Sequence, residues 1–183
     1  FSIVALSESA EIHLTSYRQE SLQGDSVLKS IYKDLGVSSH FEGDTLVLKK
    51  ENKILPAGIQ LDLSKAPDIA QTIAVTCYGL GIGCDLIGLH TLKIKETDRL
   101  EALNTELSKL GASVRVTEKS LHLSAGMNFK ENCSIPTYKD HRMAMAFAPL
   151  ALKIPLQIDE AGVVSKSYPD FWEDLKALNF KVN

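Results

Sequence analysis

The chain has 183 residues, 44% of them hydrophobic, and carries 23 acidic against 20 basic side chains for a formal charge of -3. That length and apolar content can bury a real core, in one domain or two small ones, so a globular, soluble protein is expected. The charge gives no ground for a nucleic-acid or membrane surface, though it leaves room for a local basic cluster that holds a small anion.

Cys77, Cys84 and Cys133 lie far apart without CxxC spacing. They read as reduced thiols of a cytoplasmic protein, not as a disulfide framework or a zinc site. The longest apolar stretches, 69–86 and 143–154, are interrupted by Gln71, Thr72, Thr76, Asp85 and Lys153, too polar or too short to span a bilayer. The opening "FSIVALSESAEIHL" lacks an initiator Met and any basic segment with a cleavage site, so the chain reads as cut from a longer protein.

In chain order, Phe1 opens inside a buried helix. A loop, "SYRQESLQGD", then carries Arg18, Gln23 and Asp25. Val27, Leu28, Ile31 and Leu35 recur at helical spacing, and Gly36 ends that helix where a positive φ is needed. Two alternating runs in "LGVSSHFEGDTLVLKK" predict a hairpin.

"APDIAQTIAVTCYGL" follows, a helix apolar on nearly all sides that belongs in an interior. Asp68 stands at its start, where plain N-capping is the ordinary explanation. A strand, "CDLIGL", leads to the loop "TLKIKETDRLE" and a helix with Leu100, Leu103, Leu107 and Leu110 on its inner face, ended by Gly111. "LGASVRVTEKSLHLSA" repeats the earlier hairpin with Leu, Gly and Leu-x-Leu at the same spacing.

The third passage starts with "YKDHRMAMAFAPLAL", another buried helix behind Asp140. It continues with a strand "PLQI" and ends on "VVSKSYPDFWEDL". Buried helix, strand, lysine-bearing loop, outer helix and hairpin therefore recur about three times, over approximately 1–66, 67–138 and an incomplete 139–183. An α/β layout is expected, with inner helices packed together and sheets and outer helices around them. The hairpin missing from the third unit is expected from a segment outside this chain.

Charged residues gather at equivalent places. Asp98 and Glu101 account for a capping box in "DRLE". Lys95, Glu96 and Arg99 remain as a surplus. If Lys95 and Glu96 end a strand and Arg99 begins a helix, a carboxylate and two cations converge on one loop, a set suited to an anionic substrate and proton transfer. His141 and Arg142 open a helix that is otherwise apolar, where a phosphate or carboxylate would be welcome. In "SKSYPD", Ser167 and Asp170 read as a second capping box with Pro169 in the first turn. Lys166 is left in the loop at the place that Lys95 holds in the repeat. No metal-ligand spacing, GxGxxG, Walker loop or nucleophile elbow is present.

"KIKETDRL", "DHRMAM" and "SKSYPDFWEDL", in that order, closely resemble the C-terminal half of the 5-enolpyruvylshikimate-3-phosphate synthases, with "QGD" and the "PD" at Asp68 as supporting matches. The likeness covers nearly the whole chain and is densest over 66–175. It implies the inside-out α/β enolpyruvyl transferase fold: two similar domains, each of three βαβαββ units, with the active site between them. This chain would be the C-terminal domain, on the phosphoenolpyruvate side.

The implied reaction transfers the enolpyruvyl group of phosphoenolpyruvate to the 5-hydroxyl of shikimate 3-phosphate, with no metal or organic cofactor, in a cytoplasmic enzyme that is monomeric at full length. By motif, Asp68 would orient or deprotonate the hydroxyl, and Glu96 would exchange a proton with the methylene carbon. Lys95 would lie near the reacting hydroxyl and phosphate. Arg99, Arg142 and Lys166 would join Lys95 in gripping phosphoenolpyruvate, and His141 would hydrogen-bond the reacting group or Glu96. Shikimate 3-phosphate would meet this half through Asp68 and Lys95 and otherwise bind the other half.

Where many members carry Asn-x-Arg ahead of the Lys-Glu pair, this chain has Thr91 and Lys93. Two other readings compete. The related UDP-N-acetylglucosamine enolpyruvyl transferases use a cysteine on a basic loop of this half, and none of the three cysteines sits in such a loop. A non-catalytic anion-binding module would not need Asp68, Lys95, Glu96 and His141 together.

Overall fold

The structure is a computed structural model and describes residues 1–15 and 17–182. Ser16, the first residue of the quoted loop "SYRQESLQGD", and Asn183 lie outside the described residues. Helix α1 (Ser2–Leu6) is followed by strand β1 (Glu11–Leu14), helix α2 (Leu28–Asp34) and the hairpin of β2 (Val37–Glu42) and β3 (Thr45–Lys50). Next come β4 (Gly58–Asp62), α3 (Ala70–Leu80), β5 (Gly83–Ile87), α4 (Arg99–Lys109), β6 (Val114–Val116) and β7 (Ser120–Leu123). The last elements are β8 (Cys133–Ile135), α5 (His141–Phe147), β9 (Leu156–Ile158) and α6 (Phe171–Ala177).

The centre is helical because the sequence leaves α3 no polar face. Ala70, Ile73, Ala74, Val75, Cys77 and Tyr78 are all buried, and α1 and α5 pack against it. Sheets close around these inner helices. β1, β3 and β2 form an antiparallel sheet, and β4, β5, β7 and β6 form a mixed one. β4 and β5 run parallel, as do β8 and β9. A parallel pair needs a long crossover, supplied here by α3 and α5. The strands β4 and β8, which precede those helices, escaped the sequence reading.

On the outer face of the mixed sheet, Asp85 bonds His122 at 2.7 Å and His122 bonds Ser120 at 2.9 Å. Ser120 is buried and shares its hydroxyl with Thr117, so this chain of bonds stitches strands together and offers no accessible nucleophile. Cys77 and Cys84 are buried free thiols, and Cys133 is a half-buried one. Among the described residues no helix is long and apolar enough to cross a membrane.

Helices α2 and α4 end as expected, at Gly36 (φ 81°) and Gly111 (φ 104°). At Gly111 a Cβ would also lie 2.0 Å from the backbone oxygen of Asn128. Neither the left-handed φ nor the backbone contact can relax cheaply. Gly111→Ala is therefore expected to cost roughly 3 kcal/mol or more in urea unfolding.

Two local expectations are corrected. Lys95 and Glu96 do not end a strand: β5 stops at Ile87, and a 3-10 turn, His90–Ile94, intervenes. Ser167 and Asp170 form no capping box. A 3-10 turn, Ala161–Lys166, runs up to Ser167, so helix α6 starts only at Phe171, with Asp170 at its N-cap making no side-chain bond and Pro169 ahead of it.

Candidate active site

The site is built where the starts of three helices meet. α4 begins at Arg99 behind Asp98, whose carboxylate accepts the backbone N–H of Glu101 at 3.1 Å. α5 begins at His141 behind Asp140, whose carboxylate accepts the N–H of Arg142 at 2.9 Å. Ahead of α3 the chain makes a 3-10 turn, Pro67–Ile69, and the Asp68 side chain caps neither element. The capping expected of Asp98 and Asp140 is present, and that expected of Asp68 is not. Asp68 is turned instead toward charged partners.

Arg99 is the hub. Its Nε donates to Asp140 at 2.6 Å, one terminal nitrogen donates to Asp68 at 2.8 Å, and the other donates to Glu96 at 2.7 Å and to Asp140 at 3.3 Å. Its side chain is only 2% exposed and that of Asp140 0%, which makes this the buried end of the cluster. Charge-assisted bonds of this kind, two of them to one carboxylate, offset the desolvation of the ions.

The outer end is open. Lys95 lies 3.3 Å from Asp68, and Arg142 lies 3.6 Å from the other Asp68 oxygen while donating to the Asp68 backbone carbonyl at 3.1 Å. Three carboxylates (Asp68, Glu96, Asp140) thus face three cations (Lys95, Arg99, Arg142). The cluster balances its own charge, and the cations within reach of a ligand are Lys95 and Arg142.

The structure therefore brings together five of the residues singled out in the sequence: Asp68, Lys95, Glu96, Arg99 and Arg142. Arg99 spends four of its five N–H groups on these carboxylates and its side chain is almost wholly buried, so it is the least open of the three cations to a ligand. His141 stands half-buried at the first position of α5 and makes no bond to Glu96. Lys166 is exposed at the end of the 3-10 turn Ala161–Lys166, which packs on α5, and it joins no ion pair among the described residues.

Lys93 is drawn away from the cluster by Glu118, at 2.7 Å, a bond that raises the ammonium pKa above its ordinary value. Thr91 carries a buried hydroxyl without a partner among the described residues. The "QGD" loop does come close: a Cβ on Gly24 would lie 2.6 Å from the carbonyl of Lys65, just upstream of Asp68. Among the described residues no group of three His, Cys, Asp or Glu is placed to hold a metal ion.

Two features were missed. Asp140 is an ion-pair partner as well as a cap. Just before it, Tyr138 (φ 55°) and Lys139 (φ 57°) are consecutive left-handed residues without being glycine. Each such residue costs on the order of 1–3 kcal/mol and persists only where its surroundings fix it. The Tyr138 hydroxyl donates to Glu106 at 2.6 Å, and Glu106 is itself fully buried on α4.

The sequence pattern of the family described as EPSP synthase (3-phosphoshikimate 1-carboxyvinyltransferase) matches residues 1–175. The chain is 43% identical over 185 residues to the 3-phosphoshikimate 1-carboxyvinyltransferase of Bacteroides fragilis, covering 100% of this chain and 45% of that protein. It is 36% identical over 166 residues to the Clostridium kluyveri enzyme of the same name, covering 90% of this chain and 38% of that one. The chain thus spans less than half the length of these relatives.

Among solved structures, EPSP synthase from Acinetobacter baumannii superposes with a TM-score of 0.76 at 21% identity, over 96% of this chain and 43% of that one. The enolpyruvyl transferase NikO from Streptomyces tendae superposes with a TM-score of 0.75 at 14% identity, over 100% of this chain and 42% of that one. These likenesses identify the fold as that of the enolpyruvyl transferases, in agreement with the inner helices and surrounding sheets. With the family pattern spanning residues 1–175, this chain belongs to the EPSP synthase (3-phosphoshikimate 1-carboxyvinyltransferase) family.

Proposed function

We propose that this chain is the phosphoenolpyruvate-gripping half of a 1-carboxyvinyltransferase, made of about three repeated units, whose complete form acts on shikimate 3-phosphate. The observation that carries this reading is the meeting of acids and cations at one open mouth: Asp68, Glu96, Lys95 and Arg142 around the buried Arg99–Asp140 pair. Cations alone would suffice to hold an anion. Two half-exposed carboxylates beside them suit a reaction that also moves protons.

In the first step the 5-hydroxyl adds to C2 of phosphoenolpyruvate while a proton is delivered to its methylene carbon. The hydroxyl proton passes to Asp68, the carboxylate that Lys95 and Arg142 flank. Glu96 serves the methylene carbon. Its Oε2 is held by Arg99, and its Oε1 accepts no bond among the described residues, so one oxygen is fixed and the other is free. In the second step the C2–O bond to phosphate breaks, Asp68 passes the hydroxyl proton on to the departing phosphate, the methyl group returns a proton to Glu96, and the enolpyruvyl product and phosphate leave. Lys95, Arg142 and Lys166 neutralise the phosphate and carboxylate, and the planar guanidinium of Arg142 matches either anion. His141, one residue from Arg142, donates to the reacting group.

The third sheet supports the view that this half needs completion. Among the described residues β9 pairs with β8 alone, whereas its counterpart β5 has β7 on its other edge. A groove of about 770 Å³ runs beside β9, lined by Leu156, Ile158, Trp172, Leu175 and Phe180. A hairpin from the rest of the protein completes the sheet there and covers the groove, whose lining also includes Gln157, Glu173, Lys176 and Lys181.

Titrating the isotope-labelled chain with phosphoenolpyruvate tests the reading. Saturable shifts at 95–99, 141–142 and 166 are expected. Shifts scattered over the surface, or none at millimolar ligand, would remove this site from the proposal.

A further inference from the structure

We propose that Glu106 is a positioning residue for this site: through Tyr138 it fixes the left-handed turn that aims His141 and Arg142. The proposal rests on the reading of those two side chains as ligand-binding groups, but the geometry it concerns exists without ligand.

Glu106 lies seven residues beyond Arg99 on α4, which at 3.6 residues per turn puts both on one face of the helix. Both are buried. They seize the same short segment at two points: Arg99 holds Asp140 at 2.6 Å, and Glu106 accepts the Tyr138 hydroxyl at 2.6 Å. Lys109 neutralises the other oxygen of Glu106 and donates to the backbone carbonyl of Ser134 at 3.0 Å, one residue past the start of β8. Tyr138 and Lys139, the residue between the two held points, are both at positive φ, and the N–H of Asp140 closes the turn on Thr137 at 2.9 Å.

Each feature has a bland explanation alone, but together they do not. A carboxylate among Leu100, Leu103 and Leu107 is a costly way to fill a core position that leucine would occupy at no electrostatic expense. Two adjacent non-glycine residues in the left-handed region relax unless something restrains them. Glu106 supplies the restraint. Burial first, and then the bond to this carboxylate, push the Tyr138 pKa above the usual phenol range, so the hydroxyl remains a donor. With Asp140 pinned by Arg99, any loosening at Tyr138 changes the direction in which the chain enters α5, and the first two residues of α5 are His141 and Arg142.

The test uses the 183-residue chain, first without ligand. In Tyr138→Phe the imidazole signals of His141 and the guanidinium signals of Arg142 are expected to move, while the methyl signals of Leu103 and Leu107 stay in place. Affinity for phosphoenolpyruvate should fall about tenfold. Adding Lys139→Gly should return both sets of signals toward their original positions, because glycine adopts the left-handed conformation without penalty. A hydroxyl that served only packing would not be rescued by a neighbouring glycine.

A folded Tyr138→Phe chain with unmoved His141 and Arg142 signals overturns the proposal. Should that variant not fold, Glu106→Gln keeps an acceptor for Tyr138 but loses the charge. A smaller displacement in the same direction is then expected, and none would be equally fatal. If the unsubstituted chain binds no phosphoenolpyruvate, the functional reading suffers, but the ligand-free signals still judge the clamp.

Discussion

Arg99→Met is expected to destabilise the chain by about 3–5 kcal/mol, the range for breaking a buried ion pair by removing one partner. The reason is what the substitution leaves behind. Asp140 is 0% exposed, and without the guanidinium its carboxylate keeps, among the described residues, only the N–H of Arg142. Asp68 and Glu96 lose a partner too, but they reach water and lose little by it. The double variant Arg99→Met, Asp140→Leu should recover much of the loss, since an apolar pair of similar volume often replaces a buried ion pair at little cost. It should not recover all of it. Asp140 is also the N-cap of α5, and removing a cap costs about 1 kcal/mol by itself. Urea unfolding of the two variants measures both effects. A loss below about 1 kcal/mol for Arg99→Met would class the pair with exposed ion pairs and contradict its burial.

Much of this architecture was legible because it is local. The glycines that end α2 and α4, the hairpins after them and the apolar surface of α3 follow from spacing and from the backbone freedom of glycine. The corrections come from places where two local rules competed. "SKSYPD" satisfies a capping pattern, yet the chain spends Ser167 on ending a 3-10 turn, and the helix waits until Phe171. β4 and β8 are short and take their stability from parallel partners distant in sequence, so no local period announces them.

The candidate site was legible as a surplus of charge, but its wiring was not. No spacing rule says that Arg99 would turn inward to Asp140, 41 residues away. One available signal went unused. Counting back four and forward three from Leu103 reaches Arg99 and Glu106, so both charges fall on the stripe that the leucines mark as buried. A charge on a buried stripe requires a partner, and that alone would have sent a search to Tyr138 and Asp140.

The largest effect on activity is expected from Glu96→Gln. In the enzyme assembled from this chain and its complementing half, turnover should fall by roughly 10²- to 10⁴-fold, the contribution typical of a placed general acid or base. The amide keeps an oxygen for Arg99 to hold, so the fold and the grip on phosphoenolpyruvate should change little and the loss should appear in kcat. Lys166→Ala offers the contrast. Lys166 is exposed and makes no structural pair among the described residues, so its removal should leave stability unchanged and raise KM for phosphoenolpyruvate. Exchange of solvent deuterium into the methylene carbon separates the two roles directly. The proposed chemistry requires that exchange to collapse in Glu96→Gln and, at saturating phosphoenolpyruvate, to survive in Lys166→Ala. If Glu96→Gln kept a normal rate of exchange, the proton would have to travel by another group. His141 would then be the next to test, because it stands half-buried at the start of α5, next to Arg142.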